Sequence, residues 1–302
     1  MQTTTLLDGG LGQEVLRHAK GDVTPLWSTQ VMIDEPELVR RVHGDFIEAG
    51  ADVITVNTYS TTRVRLEQAG LGHEYERLQR LAGELAVEAR EQHGRAGVRI
   101  AGCLSPYGWS YRPELALPYD ELWPLYAEDT ELQAPFVDVM LCETMGSIDE
   151  SRAAARGAAH AGAPVWMAWT IRDDDTACLR SGEPLADAIR AVADDPAAPV
   201  DAILVNCSQP EAIDAAIPVL AGAGIPFGAY ANGFRNSVED YAPGSVVTVL
   251  TSRDDLDPAA YADIVDGWLA AGATIVGGCC EIGPEHIAEI RRRLDARPLS
   301  VS

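Results

Sequence analysis

The sequence predicts a (βα)₈ barrel of the TIM type, a single domain over residues 1–302, and three observations carry that expectation. Short β-branched runs bounded by turn residues alternate eight times with Ala/Leu/Arg/Glu-rich stretches of helical spacing. Most of these runs are apolar on both faces, as parallel strands covered by helices should be. Eight alternations in about 300 residues fit a closed barrel better than a doubly wound sheet, which stays open as the alternative because strand order is not written in the sequence.

The first strand is expected in "TTLLDGG" (4–10), the second in "DVITVNT" (52–58), the third in "VRIAGCL" (98–104) and the fourth in "VDVMLCET" (137–144). The others are "PVWMAWTI" (164–171), "DAILVNCS" (201–208), "PFGAYAN" (226–232) and "ATIVGGCC" (273–280). Between them "EPELVRRVHGDFIEAG" (35–50) reads as a helix with Pro36 in its first turn and Gly50 at its stop. "SIDESRAAARGAAHAG" (147–162) reads as another, with Ser147 as N-cap and Glu150 completing a capping box. The irregular stretch "SPYGWSYRPELALPYDELWPLY" (105–126) follows the third strand and is expected to lie over the active-site face. No linker, repeat or low-complexity segment marks a domain boundary.

Composition narrows the function. Twenty-three basic against 46 acidic residues give a net charge of −23, which repels nucleic acid and anionic lipid but tolerates a cationic ligand. No run of about 18 apolar residues is present to span a membrane. The first residues lack the basic and apolar regions of a signal peptide, so a cytoplasmic location is expected, where six cysteines suit metal binding or catalysis better than disulfides. Lys20 is the only lysine and lies away from any strand end, which argues against Schiff-base chemistry. Oligomeric state is not legible.

Catalytic groups of a barrel stand at the C-terminal ends of its strands. The polar residues there are Asp8, Asn57, Tyr59, Glu143, Asn206, Cys207, Asn232, Cys279 and Cys280. Cys207 ends the sixth strand and Cys279 and Cys280 end the eighth, so three thiolates from two strands can converge on a soft divalent metal, zinc foremost, with a fourth position left open. Neighbouring side chains of an ideal strand point to opposite faces, so Gly277 and Gly278 are expected to bend the backbone into a flexible clamp. Burial as small apolar residues is the competing reading for each cysteine. It is preferred for Cys103, Cys142 and Cys178, and between Cys142 and Glu143 the carboxylate is expected to face inward. None of the six histidines lies at a strand end, and His286 is read as packing or capping a helix.

Asp8 and Glu143 are carboxylates at strand ends without a basic neighbour in sequence; they read either as solvated surface acids or, functionally, as a pair that binds a substrate ammonium group. Trp27 and Tyr59 are more often core or rim aromatics, but facing a cation their rings would form part of a cation–π box.

The chain resembles the zinc-dependent homocysteine S-methyltransferase family over nearly its full length. The resemblance rests on the ordered set "LLDGGLGQEV", "PLWS", "HGDFIEAGADVITVNTY", "LCET", "SGEPLADA", "VNCS" and "GGCC" followed by "PEHI". It implies that Cys207, Cys279 and Cys280 bind zinc, and that Asp8 and Glu143 hold the homocysteine amino group. It further implies methyl transfer from a cationic donor to the homocysteine thiolate. A sulfonium, S-methylmethionine or S-adenosylmethionine, is the leading donor, and betaine or another onium compound is the alternative. Glu281 and Ile282 stand where the family commonly has Gly and Thr, and "SPYGWSYRP" resembles the family's "GPYG" only at its start, both where a donor would enter. A zinc- or thiol-binding relative with Glu281 blocking the open position, or a metal-free lyase, are the readings from other classes.

Overall fold

The computed structural model describes residues 4–235 and 250–297. Its eight strands are β1 (Thr5–Leu6), β2 (Val53–Thr55), β3 (Arg99–Leu104), β4 (Val139–Met145), β5 (Val165–Trp169), β6 (Ala202–Asn206), β7 (Phe227–Tyr230) and β8 (Ile275–Val276). All neighbours pair in parallel in the order β1-β8-β7-β6-β5-β4-β3-β2. β1 then meets β2 through the Leu7–Val53 bridge, with Asp52 N–H donating to Leu6 O (2.7 Å) and Asp8 N–H to Val53 O (2.9 Å). This seam closes the barrel and leaves no free sheet edge.

Alternation along the strands makes two cores. Leu7, Val53, Ala101, Val139, Leu141, Trp166, Ala168, Leu204, Tyr230 and Ile275 fill the barrel interior. The residues between them, such as Ile54, Met140, Cys142, Met167, Ile203 and Val205, face the helices. All eight strands were expected, but the ordered ladders are shorter. The last runs for two residues only, so both of its cysteines lie beyond the strand in a turn.

The helices follow their sequence signals closely. Pro36–Glu48 starts with proline in its first turn, and Ile148–Ala158 starts at Ser147, whose side chain accepts from Glu150 N–H. The expected capping box is incomplete: the Glu150 carboxylate accepts from Gly146 N–H (3.0 Å), because Gly146 presents its amide one residue before the cap. His286 sits in the first turn of Pro284–Ala296, accepting from Gly283 N–H at Nδ1 (3.2 Å) and contacting Leu256 O at Nε2 (3.0 Å). It is a capping residue, as expected.

Close strand packing is tightest at Gly228 on β7, where an added Cβ would stand 1.9 Å from Ile275 O. Gly228→Ala is therefore expected to lower the urea-unfolding free energy by about 3 kcal/mol through overpacking. Gly267, exposed in the helix Pro258–Ala270 with nothing near a new Cβ, gives the contrast. Gly267→Ala should raise stability by about 0.5–1 kcal/mol.

Candidate metal centre and substrate cavity

One cavity at the C-terminal ends of the strands gathers Asp8, Trp27, Asn57, Tyr59, Glu143, Cys207, Cys279 and Cys280. The three cysteine sulfurs lie within 4.8 Å of one another, with Cys207 and Cys280 3.9 Å apart and no disulfide among them. Thiolates around a tetrahedral zinc stand roughly 3.8 Å apart, from metal–sulfur distances of about 2.3 Å. The trio therefore fits a metal ion with shifts of an ångström or less. Hydrogen bonds from Cys279 and then Cys280 hold the Cys207 thiol well below its ordinary pKa, and donating to Cys207 pushes both others up. Tyr111 Oη lies 3.0 Å from Cys207 Sγ and adds to the effect. Cys207 is thus the first of the three thiols to ionise.

The turn that carries two of these thiols is tied on both sides. Gly278 N–H donates to Asp8 O (3.0 Å), Gly10 N–H to Ile282 O (2.9 Å), Cys279 N–H to Ala231 O (2.9 Å) and Gly233 N–H to Cys280 O (2.8 Å). Gly277 and Gly278 have ordinary φ values, so they are not the bend that the sequence suggested. They permit close approach: a Cβ would stand 2.5 Å from Leu7 Cβ at Gly277 and 2.2 Å from Ile282 Cγ2 at Gly278. The reversal falls instead at Glu281 (φ 66°). The loop is a fastened seat rather than a flexible clamp.

Six non-glycine residues have positive φ among the described residues, and five of them, Trp27, Tyr111, Thr144, Cys207 and Glu281, line or adjoin this cavity. Such conformations cost of order 1–3 kcal/mol each and persist where surrounding structure enforces them. At Thr144 the enforcement is visible. Asn206 Oδ1 accepts from Thr144 N–H (2.9 Å) and its Nδ2 donates to Thr144 Oγ1 (3.0 Å), beside the register shift between β4 and β5. Glu143, just before Thr144, faces the cavity by ordinary alternation with the inward Val139 and Leu141.

Both acids line the cavity, Asp8 buried and Glu143 half-buried. Burial pushes the Asp8 carboxyl up to about 8, against hydrogen bonds from Thr55 N–H (2.7 Å) and Oγ1 (3.1 Å). Burial likewise pushes Glu143 up to about 7, while Cys103 Sγ (3.0 Å from Oε1) and Tyr230 Oη (3.2 Å from Oε2) donate to it. Trp27 and Tyr59 meet edge to face with centroids 5.7 Å apart.

Comparison with known proteins agrees with this geometry. The homocysteine S-methyltransferase family model matches residues 5–294. The chain belongs to the homocysteine S-methyltransferase family. Homocysteine S-methyltransferase of Escherichia coli is 31% identical over 97% of this chain and 96% of its own. The Bacillus subtilis homocysteine S-methyltransferase YbgG is 29% identical over 94% and 92%. Among solved structures, the metallated form of the Escherichia coli homocysteine methyltransferase MmuM superimposes with a TM-score of 0.80 at 29% identity, covering 97% of this chain and 96% of that one. The protein is accordingly a methyltransferase of this family, and among the described residues no helix is long and apolar enough to cross a membrane.

Within the family frame the positions read from sequence sort themselves by geometry. The strand-end choice of Glu143 over Cys142 holds, since Cys142 packs among the helix-facing residues. Asn206, one of the strand-end candidates and expected to bind substrate from its position, does not line the cavity: both ends of its amide are engaged by Thr144. Cys103, read as plain core, touches Glu143, and its alternation with inward Ala101 was the available signal. Tyr230 had the same inward parity, whereas Tyr111 comes from a loop whose path no periodicity encodes. Glu281 does not block the metal position. Gln13 Nε2 and Ser252 Oγ each donate to its carboxylate at 2.5 Å, and it is outside both the thiol cluster and the cavity wall.

Proposed function

We propose that this protein transfers a methyl group from a sulfonium donor, S-methylmethionine or S-adenosylmethionine, to the thiol of L-homocysteine, with zinc held by Cys207, Cys279 and Cys280. The observation that carries the reading is a three-sulfur cluster sharing one cavity wall with two acids, Asp8 and Glu143. Zinc bound there would supply a Lewis acid that lowers the pKa of the substrate thiol, so no side chain need act as general base.

The residues of the chain do the rest. Asp8 and Glu143 bind the homocysteine ammonium, whose charge offsets the cost of ionising two carboxyls in a dry wall. Sharing one cavity with the sulfurs, they orient the substrate with its thiol toward the cysteine cluster. Trp27 and Tyr59 present ring faces and edges to the onium group, where a cation gains from the ring quadrupole. Leu7, Leu141 and Phe234 keep the reacting atoms away from water. In the transfer the homocysteine sulfur forms a bond to the methyl carbon as the carbon–sulfonium bond breaks, and its electron pair returns to the leaving sulfur. Homocysteine and S-methylmethionine thus give two molecules of methionine and one proton.

The donor assay tests this directly. With S-methylmethionine, two methionines should form for each homocysteine consumed, and with S-adenosylmethionine one. A chelator or Cys280→Ala should abolish both zinc retention and turnover. Methionine formed undiminished by metal-stripped Cys280→Ala would refute the proposal, and turnover with betaine alone would replace the donor.

The acids give a pH signature. Raised carboxyl pKa values mean that protons compete with the substrate ammonium, so affinity for L-methionine, which has no thiol to titrate, should rise between pH 6 and 8. Glu143→Gln should weaken that affinity about tenfold or more and flatten the rise. Unchanged binding in the variant would contradict the ammonium role.

A further inference from the structure

Arg65 projects from the short helix Arg63–Gln68 after β2 and is only 7% exposed. Its Nη2 donates to Ser110 Oγ (3.3 Å), and among the described residues its Nε has no hydrogen-bond partner and no carboxylate pairs with it. Elsewhere the chain pairs a buried guanidinium closely: Arg180 meets both oxygens of Asp173 at 3.0 and 3.1 Å. An uncompensated buried cation is costly, the more notable in a chain with 46 acidic residues to choose from.

The position explains the cost. Arg65 lines the thiol-bearing cavity and also the adjoining one beside Trp109 and Leu115, so it stands at their junction. Its guanidinium lies 5.8 Å from the Tyr59 ring centroid and 5.0 Å from that of Trp109. Tyr59 in turn packs on Trp27, the other aromatic of the expected cation box. A bare onium ion placed there would be repelled by Arg65. A zwitterion, whose cation and carboxylate are a few bonds apart, would satisfy the rings and the guanidinium together.

The acceptor does not account for Arg65. In an α-amino acid the carboxylate carbon is about 2.5 Å from the ammonium nitrogen, so it must lie beside the acids that hold that nitrogen. The contacts of Arg65 are with Ser110, Tyr59 and Trp109, and the groups that perturb Glu143 are burial, Cys103, Cys207 and Tyr230, without Arg65.

We infer that Arg65 is the carboxylate anchor of the methyl donor, which restricts this enzyme to zwitterionic onium compounds and selects against simple onium cations. The inference rests on the onium-donor reading above and adds the chemical class the donor must have. Arg65 is thus a specificity-determining residue that binds substrate without taking part in bond making.

The test titrates zinc-loaded enzyme, wild type, Arg65→Ala and Arg65→Lys, with S-methylmethionine and with trimethylsulfonium, which has no carboxylate. Arg65→Ala should weaken S-methylmethionine about tenfold or more while trimethylsulfonium binds as well or better, and the KM for homocysteine should stay within about twofold. Arg65→Lys should recover part of the loss, since an ammonium keeps the charge without the planar fork, and it carries the comparison if the alanine variant does not fold. Equal weakening of both ligands, a loss confined to homocysteine, or no binding of S-methylmethionine to the wild type would overturn the assignment. Absence of methionine formation with every donor would defeat the proposed reaction instead, and the binding ratio would still decide the role of Arg65.

Discussion

Bringing three sulfurs from two separate loops to one point is the constraint on which the rest of the structure depends. β6 and β8 are separated by β7, so Cys207 reaches Cys279 and Cys280 only because the barrel closes and curls the strand ends around a common axis. The loop after β8 is held by backbone hydrogen bonds to the loops after β1 and β7. Gly9 and Gly10 serve the same contact from the other side, where added Cβ atoms would stand 2.1 Å from Ile282 O and 2.6 Å from Cys279 O. The same fastening puts Asp8 in the wall beside the thiols.

This arrangement concentrates cost at the functional end of the barrel. Five left-handed non-glycine residues, two carboxyls with raised pKa values and a buried guanidinium that pairs with no carboxylate among the described residues all lie around one cavity. The barrel interior beneath it holds ordinary aliphatic and aromatic packing. Burial there stabilises the fold by roughly 25 cal/mol per Å² of apolar surface, which supports a strained and charged rim. In the proposed complex the two acids would meet the substrate ammonium and the guanidinium the donor carboxylate.

Much of this was legible in the sequence because it depends on period and position. Strand alternation separated Cys142 from Glu143 correctly, and the eight apolar runs located every strand. What stayed hidden depends on tertiary contact. Parity aims Asn206 inward, but the left-handed Thr144 that engages its amide is produced by an irregular β4–β5 register. Glu281 looked obstructive beside the cysteines until Gln13, 268 positions away in sequence, drew its carboxylate aside. Arg65 resembled any helix-surface arginine, since only the packing of Tyr59, Trp109 and Ser110 shows that it is buried.

The central claim is that a metal held by Cys207, Cys279 and Cys280 keeps one position for the substrate sulfur. X-ray absorption at the zinc edge counts sulfur neighbours of the bound ion and reads this most directly. The account predicts three sulfurs in the substrate-free enzyme and four when homocysteine is present. Three sulfurs in both states, or a count that Cys207→Ala does not lower, would contradict it.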